Sequence, residues 1–243
     1  MRLGVVADVH ANLVALDAVL ADASSRGVDR WWALGDLVSI GPEPAATLER
    51  IRSLPGIEAL SGNTERYVLT RDRPYPSLDE VRADPSLTEL YAAVHGSFTW
   101  TRGALSAEQR AWLAALPAHL RTTMADGTRV LGVHASPHRD DGPGISPQRD
   151  EAALAAELRD VDADIVVAGH THRVTDRVVG GVRAVNPGSV SNPVTDDKRA
   201  GYLIIEGSSV EMHRVEYDVD QFLRRVEASG HPEGDFIASF HRR

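Results

Sequence analysis

The chain of 243 residues contains no cysteine, which excludes a disulfide framework, a thiolate-held metal and a cysteine nucleophile together. Any metal must then be held by His, Asp, Glu or Asn. Lysine is nearly absent too: Lys198 is the single lysine among 26 basic residues, and the net charge is -9. The arginine bias reads as genomic composition. Affinity for a nucleic-acid backbone comes mainly from counterions released by Lys and Arg, so stable nucleic-acid binding is not expected. A small phosphorylated substrate stays open. No apolar run reaches the roughly 18 residues that cross a bilayer, and the N-terminus meets Asp8 too soon for a signal-peptide core. The expectation is a soluble, cytoplasmic chain without membrane attachment. No internal repeat or low-complexity tract divides it. With 42% apolar and 25% charged residues it lies in the globular range, and the length suits one domain over residues 1–243.

Short β-branched runs alternate with helical patterns through the first third. Residues 2–7 form an apolar run that stops at Asp8-Val9-His10-Ala11-Asn12, and Leu13, Leu16, Val19, Leu20 and Ala23 follow at helical spacing. Asn12 is placed to cap that helix. Trp31–Leu34 then runs into Gly35-Asp36, a helix follows around 44–54, and Ile57–Leu60 runs into Gly62-Asn63. Right-handed crossovers set these three strands parallel, with their C-terminal ends on one edge. Trp31 and Trp32 must face opposite sides, one of them beneath the first helix.

From about 66 to 117 the pattern becomes helical, which reads as an insertion; Ser106-Ala107-Glu108-Gln109 has capping-box spacing. Strands over 119–124 and 128–133 are joined by Asp126-Gly127, and Val133 delivers His134. Ser146-Pro147 opens a helix over 148–158, and Ile165–Ala168 runs into Gly169-His170-Thr171-His172. The last third reads as antiparallel strands over 174–179, 182–185, 202–206 and 210–215. A helix near 220–228 and a polar tail complete the chain.

Five apolar strands therefore end in metal-capable side chains: Asp8 with His10, Asp36, Asn63, His134, and His170 with His172. Taken singly, each has an ordinary structural role as a helix cap, a turn or a loop histidine. Together they sit where an open α/β sheet binds its ligands, beyond the carboxyl ends of the strands. Two carboxylates, one amide oxygen and four imidazoles are too many donors for one tetrahedral ion and suit a pair with a shared ligand. Such a pair performs phosphoryl displacement. Asp36, alone in its segment, is the natural bridge. Mn, Fe, Zn, Co and Ni all suit these donors.

In this order, Asp8-x-His10, Gly35-Asp36, Gly62-Asn63, Gly132-x-His134 and Gly169-His170-x-His172 resemble the calcineurin-like metallophosphoesterase superfamily. The stretches Gly35–Pro42 and Asn186-Pro187-Gly188-Ser189 are similar to its small bacterial branch of phosphodiesterases and relatives of diadenosine tetraphosphatases and serine/threonine phosphatases. The resemblance implies an α/β fold, a two-sheet αββα sandwich. It also implies a hydroxide held between two metals as the nucleophile. Asp8, His10, Asp36 and His172 would hold the first ion, and Asp36, Asn63, His134 and His170 the second.

The chain departs from the pattern twice. Ala11 replaces a common glycine, and Thr64 replaces the histidine that protonates the leaving group in the family. A threonine hydroxyl is a poor acid near neutral pH, which narrows the expected substrates to phosphodiesters and other esters with good leaving groups. Asn63, Arg66 and Asn12 are the candidate substrate contacts, Arg66 because the first turn of a helix suits a phosphate. His138 is a candidate replacement acid, whereas His95, beside Phe98 and Trp100, reads as packing. A metal-binding scaffold of this fold, as in a retromer subunit, and a protein or nucleotide phosphatase are the alternatives; the complete donor set favours an enzyme.

Overall fold

The computed structural model describes residues 1–70 and 72–242. It opens with β1 (Leu3–Val6), α1 (Leu13–Ser24), β2 (Arg30–Leu34), α2 (Pro44–Arg52) and β3 (Glu58–Leu60). Helices α3 (Asn63–Leu69), α4 (Leu78–Ala83), α5 (Thr88–Ala104) and α6 (Ala107–Ala114) follow before the next strand, with a 3-10 turn at Pro85–Leu87. Then come β4 (Leu120–Thr123), β5 (Arg129–Gly132), α7 (Glu151–Leu158), β6 (Ile165–Val167), β7 (Val174–Val179) and β8 (Val182–Pro187). The chain finishes with β9 (Ala200–Glu206), β10 (Ser209–Val215), α8 (Val219–Ala228) and α9 (Gly234–Arg242).

Two five-stranded sheets, ordered β10-β9-β1-β2-β3 and β4-β5-β6-β8-β7, pack between helical layers, which is the αββα sandwich. The period-2 alternation of each strand builds the layers. Leu3 and Val5 of β1 and Trp32 and Leu34 of β2 point between the sheets against Val130, Ile165, Val167 and Val185. Val6, Trp31 and Ala33 point outward to Leu16, Val19, Leu48 and Ile51 of α1 and α2. The two tryptophans divide as the pleat requires. Leu131 and Val166 meet Leu154 and Leu158 of α7 on the other outer face. Burial of each of the valine, leucine and isoleucine side chains stabilises the fold by about 1.5–3 kcal/mol.

Strands β1, β2 and β3 run parallel, as do β5, β6 and β8. The pairings β1–β9, β9–β10, β4–β5 and β7–β8 are antiparallel. The C-terminal third is thus mixed rather than wholly antiparallel, because β8 returns beside β6 in the same direction. Asn12 caps α1 by accepting from the Ala15 amide, and Ser106 and Gln109 form the expected capping box on α6.

Of the boundaries that differ from the sequence reading, two have a plain physical cause. Helix α7 begins at Glu151, where the Asp150 carboxylate accepts from the Ala153 amide; Ser146-Pro147 lies ahead of it in a loop. The expected polar tail holds α9, whose Ile237, Ala238 and His241 are buried. A carboxylate cap outcompetes a proline signal in the first case. In the second, one short apolar stripe finds a tertiary partner.

Candidate metal centre

Five loops from the ends of parallel strands meet at one end of the sandwich. Strand β1 leads to Asp8 and His10, β2 to Asp36, β3 to Asn63, β5 to His134, and β6 to His170 and His172. Backbone bonds stitch the loops together: the Asp8 amide donates to the Gly35 carbonyl (3.2 Å), His10 to Asp36 (2.9 Å) and Gly169 to His134 (2.8 Å). Asp8, His10, Asp36, His170 and His172 all adopt φ between +49° and +65°. Left-handed backbone at non-glycine residues costs on the order of 1–3 kcal/mol each and persists only where the surroundings over-determine it. Local strain is therefore concentrated on these residues.

Close approach also dictates two glycines. A Cβ on Gly62 would lie 2.3 Å from Asp36 Oδ1, and one on Gly169 would lie 2.6 Å from Asp8 Oδ2. Neither space tolerates a side chain.

The seven expected donors form one contiguous chain. His172 Nε2 lies 3.5 Å from Asp8 Oδ1 and 3.2 Å from His10 Nε2. His10 Nε2 lies 3.8 Å from Asp36 Oδ2, and Asp36 Oδ1 lies 3.2 Å from His134 Nε2. Asn63 Oδ1 is 2.9 Å from His134 Nε2 and 3.0 Å from His170 Nδ1. Ligand atoms of Asp8, His10 and His172 fall within 4.8 Å of one another, as do those of Asp8, Asp36 and His134. Asp8 thus belongs to both groups, while Asp36 offers one oxygen toward each of two imidazoles.

The outer nitrogen of every imidazole donates to a backbone carbonyl. His10 Nδ1 donates to Ser39 (3.2 Å), His134 Nδ1 to Leu34 (2.7 Å), His172 Nδ1 to Asn192 (2.6 Å) and His170 Nε2 to Gly142 (2.9 Å). In the neutral ring each inner nitrogen therefore turns its lone pair toward the cluster. The His10 and His172 lone pairs then face each other at 3.2 Å. Such an arrangement calls for a cation between them, a proton or a metal ion. Asp8 and Asp36, 0% and 3% exposed, call for positive charge as well. Two carboxylates, an amide and four carbonyl-anchored imidazoles fit a first-row divalent metal.

The electrostatics follow from the same geometry. Burial lowers His10 to about 4, and it also lowers His170. Burial opposes charge on Asp36, but His134 at charge and hydrogen-bond range holds that carboxyl well below the usual range. Burial likewise disfavours the His134 imidazolium, and Asp36 overrides it and raises the pKa. His172 is raised against burial by Asp8.

Thr64, considered above as an acid, has its proton committed elsewhere. Its amide and its Oγ1 both donate to Asp36 Oδ1, at 3.0 and 2.9 Å. Glu65 was given no role by the sequence reading, yet its wholly buried carboxylate accepts from the Asp36, Leu37 and Gly62 amides at 2.7, 2.8 and 2.9 Å. At N3 of α3 it supplies half of a capping box, the bond back to the N-cap amide of Gly62, which has no side chain to return the other half. Burial and the charge of Asp36 raise its pKa.

The remaining candidates are placed apart. Asn12 is wholly buried, its Oδ1 capping α1 and its Nδ2 donating to Ser191 Oγ. The Arg66 guanidinium is held by Asp140, Asp141 and Asp72. His95 stacks on Tyr91 with ring centroids 3.8 Å apart, and His138 is exposed in a depression that His134 also lines.

A calcineurin-like phosphoesterase superfamily domain model matches residues 1–209. The chain belongs to that superfamily. Among calcineurin-like phosphoesterases, the metallophosphoesterase from Sphaerobacter thermophilus is 29% identical, with a TM-score of 0.76 over 99% of this chain and 98% of its own. An uncharacterized protein from Methanocaldococcus jannaschii is 28% identical over 95% of this chain and 94% of its own length. A symmetrical bis(5'-nucleosyl)-tetraphosphatase from Pectobacterium atrosepticum is 34% identical over 98 residues, which cover 37% of this chain and 35% of that enzyme. No helix among the described residues is long and apolar enough to cross a membrane.

Proposed function

We propose that this calcineurin-like phosphoesterase is a metal-dependent phosphodiesterase that binds two divalent ions and acts on small phosphorylated substrates in the cytoplasm. The observation carrying the reading is the His10–His172 pair, two carbonyl-anchored imidazoles whose Nε2 atoms face each other at 3.2 Å beside buried Asp8 and Asp36. Asp8, His10, Asp36 and His172 are assigned to one ion, and Asp36, Asn63, His134 and His170 to the other. The chemistry supplied on metal binding is Lewis acidity toward phosphoryl oxygens and toward water.

The chain's own residues preorganise the centre. The Leu34, Ser39, Asn192 and Gly142 carbonyls fix each imidazole's tautomer and ring plane. Thr64 orients Asp36, and Glu65 ties the Asp36 loop to the Gly62 loop. Since the Thr64 proton is given to Asp36, position 64 offers no strong acid to a departing alkoxide. Good leaving groups are favoured on that ground, and a positioned acid is otherwise worth about 10²–10⁴-fold. The similarity to a tetraphosphatase over 98 residues supports hydrolysis at phosphorus.

The test is a metal-by-substrate screen on protein stripped with chelator and reloaded with Mn, Fe, Zn, Co or Ni. Activity should return with metal, and kcat/KM for bis(p-nitrophenyl) phosphate should exceed that for alkyl monoesters. Inactivity with every metal would overturn the enzyme reading, and faster monoester cleavage would overturn the diester preference.

A further inference from the structure

A groove of about 300 Å³ opens directly over the metal-centre residues, with His10, Asp36, Asn63, His170 and His172 as its polar floor. Its walls are of the opposite character. Tyr67 of α3 and Phe98 of α5 pack with ring centroids 5.3 Å apart, and Phe236 and Phe240 of α9 pack edge-on at 5.2 Å. Tyr75 and Val194 complete the walls and stay 59% and 43% exposed. Large apolar side chains left open around a polar floor are the composition of a ligand site, in which a few polar groups orient and the walls bind.

Helix α9 is built to present two of these rings. Ile237, Ala238 and His241 are buried, and His241 packs on Phe222 at 4.5 Å while its Nδ1 shares a hydrogen bond of 3.1 Å with the Tyr217 hydroxyl. Phe236 and Phe240, one turn apart on the neighbouring stripe, line the groove. The helix lies outside residues 1–209, the part matched by the superfamily model. Among the described residues lining the groove there is no Lys or Arg, and Arg66 is closed off by carboxylates. The walls suit a ring better than a run of phosphates.

We propose that the groove selects phosphoesters carrying an aromatic ring next to the reacting phosphoryl group, with Phe236, Phe240 and Tyr75 as the specificity residues. The proposal rests on the phosphoesterase reading of the floor and specifies its substrate class. A nucleobase and a simple aryl group share the recognised chemistry.

Binding to the full-length protein loaded with Mn²⁺ is measured calorimetrically for three probes: phenylphosphonate, methylphosphonate and a non-hydrolysable adenosine phosphonate. Ring packing should make phenylphosphonate about tenfold tighter than methylphosphonate or better. Phe236→Ala with Phe240→Ala should remove most of that gap and leave methylphosphonate binding nearly unchanged. Tyr75→Ala, in an exposed loop, should narrow the gap in the same direction and serves if the double variant fails to fold. Adenosine phosphonate binding tighter than phenylphosphonate, with the same sensitivity to the variants, identifies a nucleobase as the ring; weaker binding identifies a simple aryl group. Equal affinity for phenyl- and methylphosphonate overturns the proposal and leaves the phosphoesterase reading standing, whereas binding of neither overturns both.

Discussion

Glu65 offers the sharpest test of how the loops are held. Its Oε2 accepts from the Asp36 and Gly62 amides and its Oε1 from the Leu37 amide, all in a wholly buried setting. In Glu65→Gln the amide oxygen can keep two of these donors, but the new NH₂ group then faces the third. One buried N–H loses its acceptor, which costs about 1–3 kcal/mol. Glu65→Ala orphans all three, for roughly 3 kcal/mol or more by the same reckoning. For a chain of this size each kcal/mol lowers Tm by about 2–4 °C, so Glu65→Ala should melt about 6–12 °C below the parent. Because the same bonds place Asp36, Mn²⁺ affinity should fall by about 10–100-fold. Differential scanning calorimetry and metal titration give the two numbers. A Glu65→Ala protein that melts with the parent and binds Mn²⁺ equally well would refute the bracing role.

Gly169→Ala should abolish metal binding with the fold retained, because the added Cβ would fall 2.6 Å from Asp8 Oδ2; metal titration and circular dichroism report the two parts. Thr64→Ala removes one of the two bonds that Thr64 gives to Asp36 Oδ1 and should weaken metal binding about tenfold. It should leave the slope of log kcat/KM against leaving-group pKa unchanged, since the hydroxyl is not the acid. His231 and His241 are each lowered by burial to about 4, against about 6.5 in an unfolded chain. Below pH 6.5 the unfolded chain therefore takes up protons that the folded one refuses, and stability should decline as pH falls toward 4. Amide exchange in α9 should accelerate over that window before the sheets respond.

The strand ends were legible because their signal is local: a buried β-branched run followed by a metal-capable side chain, five times in order. Those seven residues form one chain of contacts. The supporting groups were less legible for a physical reason. The Glu65 carboxylate serves backbone amides, and any sequence presents amides everywhere. Arg66 looked free because Asp140 and Asp141, which hold it, lie 74 and 75 residues away. The bond of Thr64 to Asp36 was not legible either, because it depends on how two loops cross. Helix α9 was hidden by Gly230, Pro232 and Gly234 just ahead of a short stripe that becomes apolar in effect only against α8. Strand β8 was read as antiparallel because its hairpin with β7 is local, whereas its parallel pairing with β6 is not.

The sharing of a carboxylate between two ions is the finest point of the site assignment. Asp36 points one oxygen at each of two imidazoles, and Asp8 lies within reach of both ligand groups. The most direct measurement is anomalous diffraction from Mn-loaded crystals of the parent protein and of Asp36→Asn. The parent should show two ions per chain within the seven named residues, and the variant should lose occupancy at both positions. A parent with no ion at these residues, or one ion only, would contradict the account, and loss confined to one position in Asp36→Asn would move the bridge to Asp8.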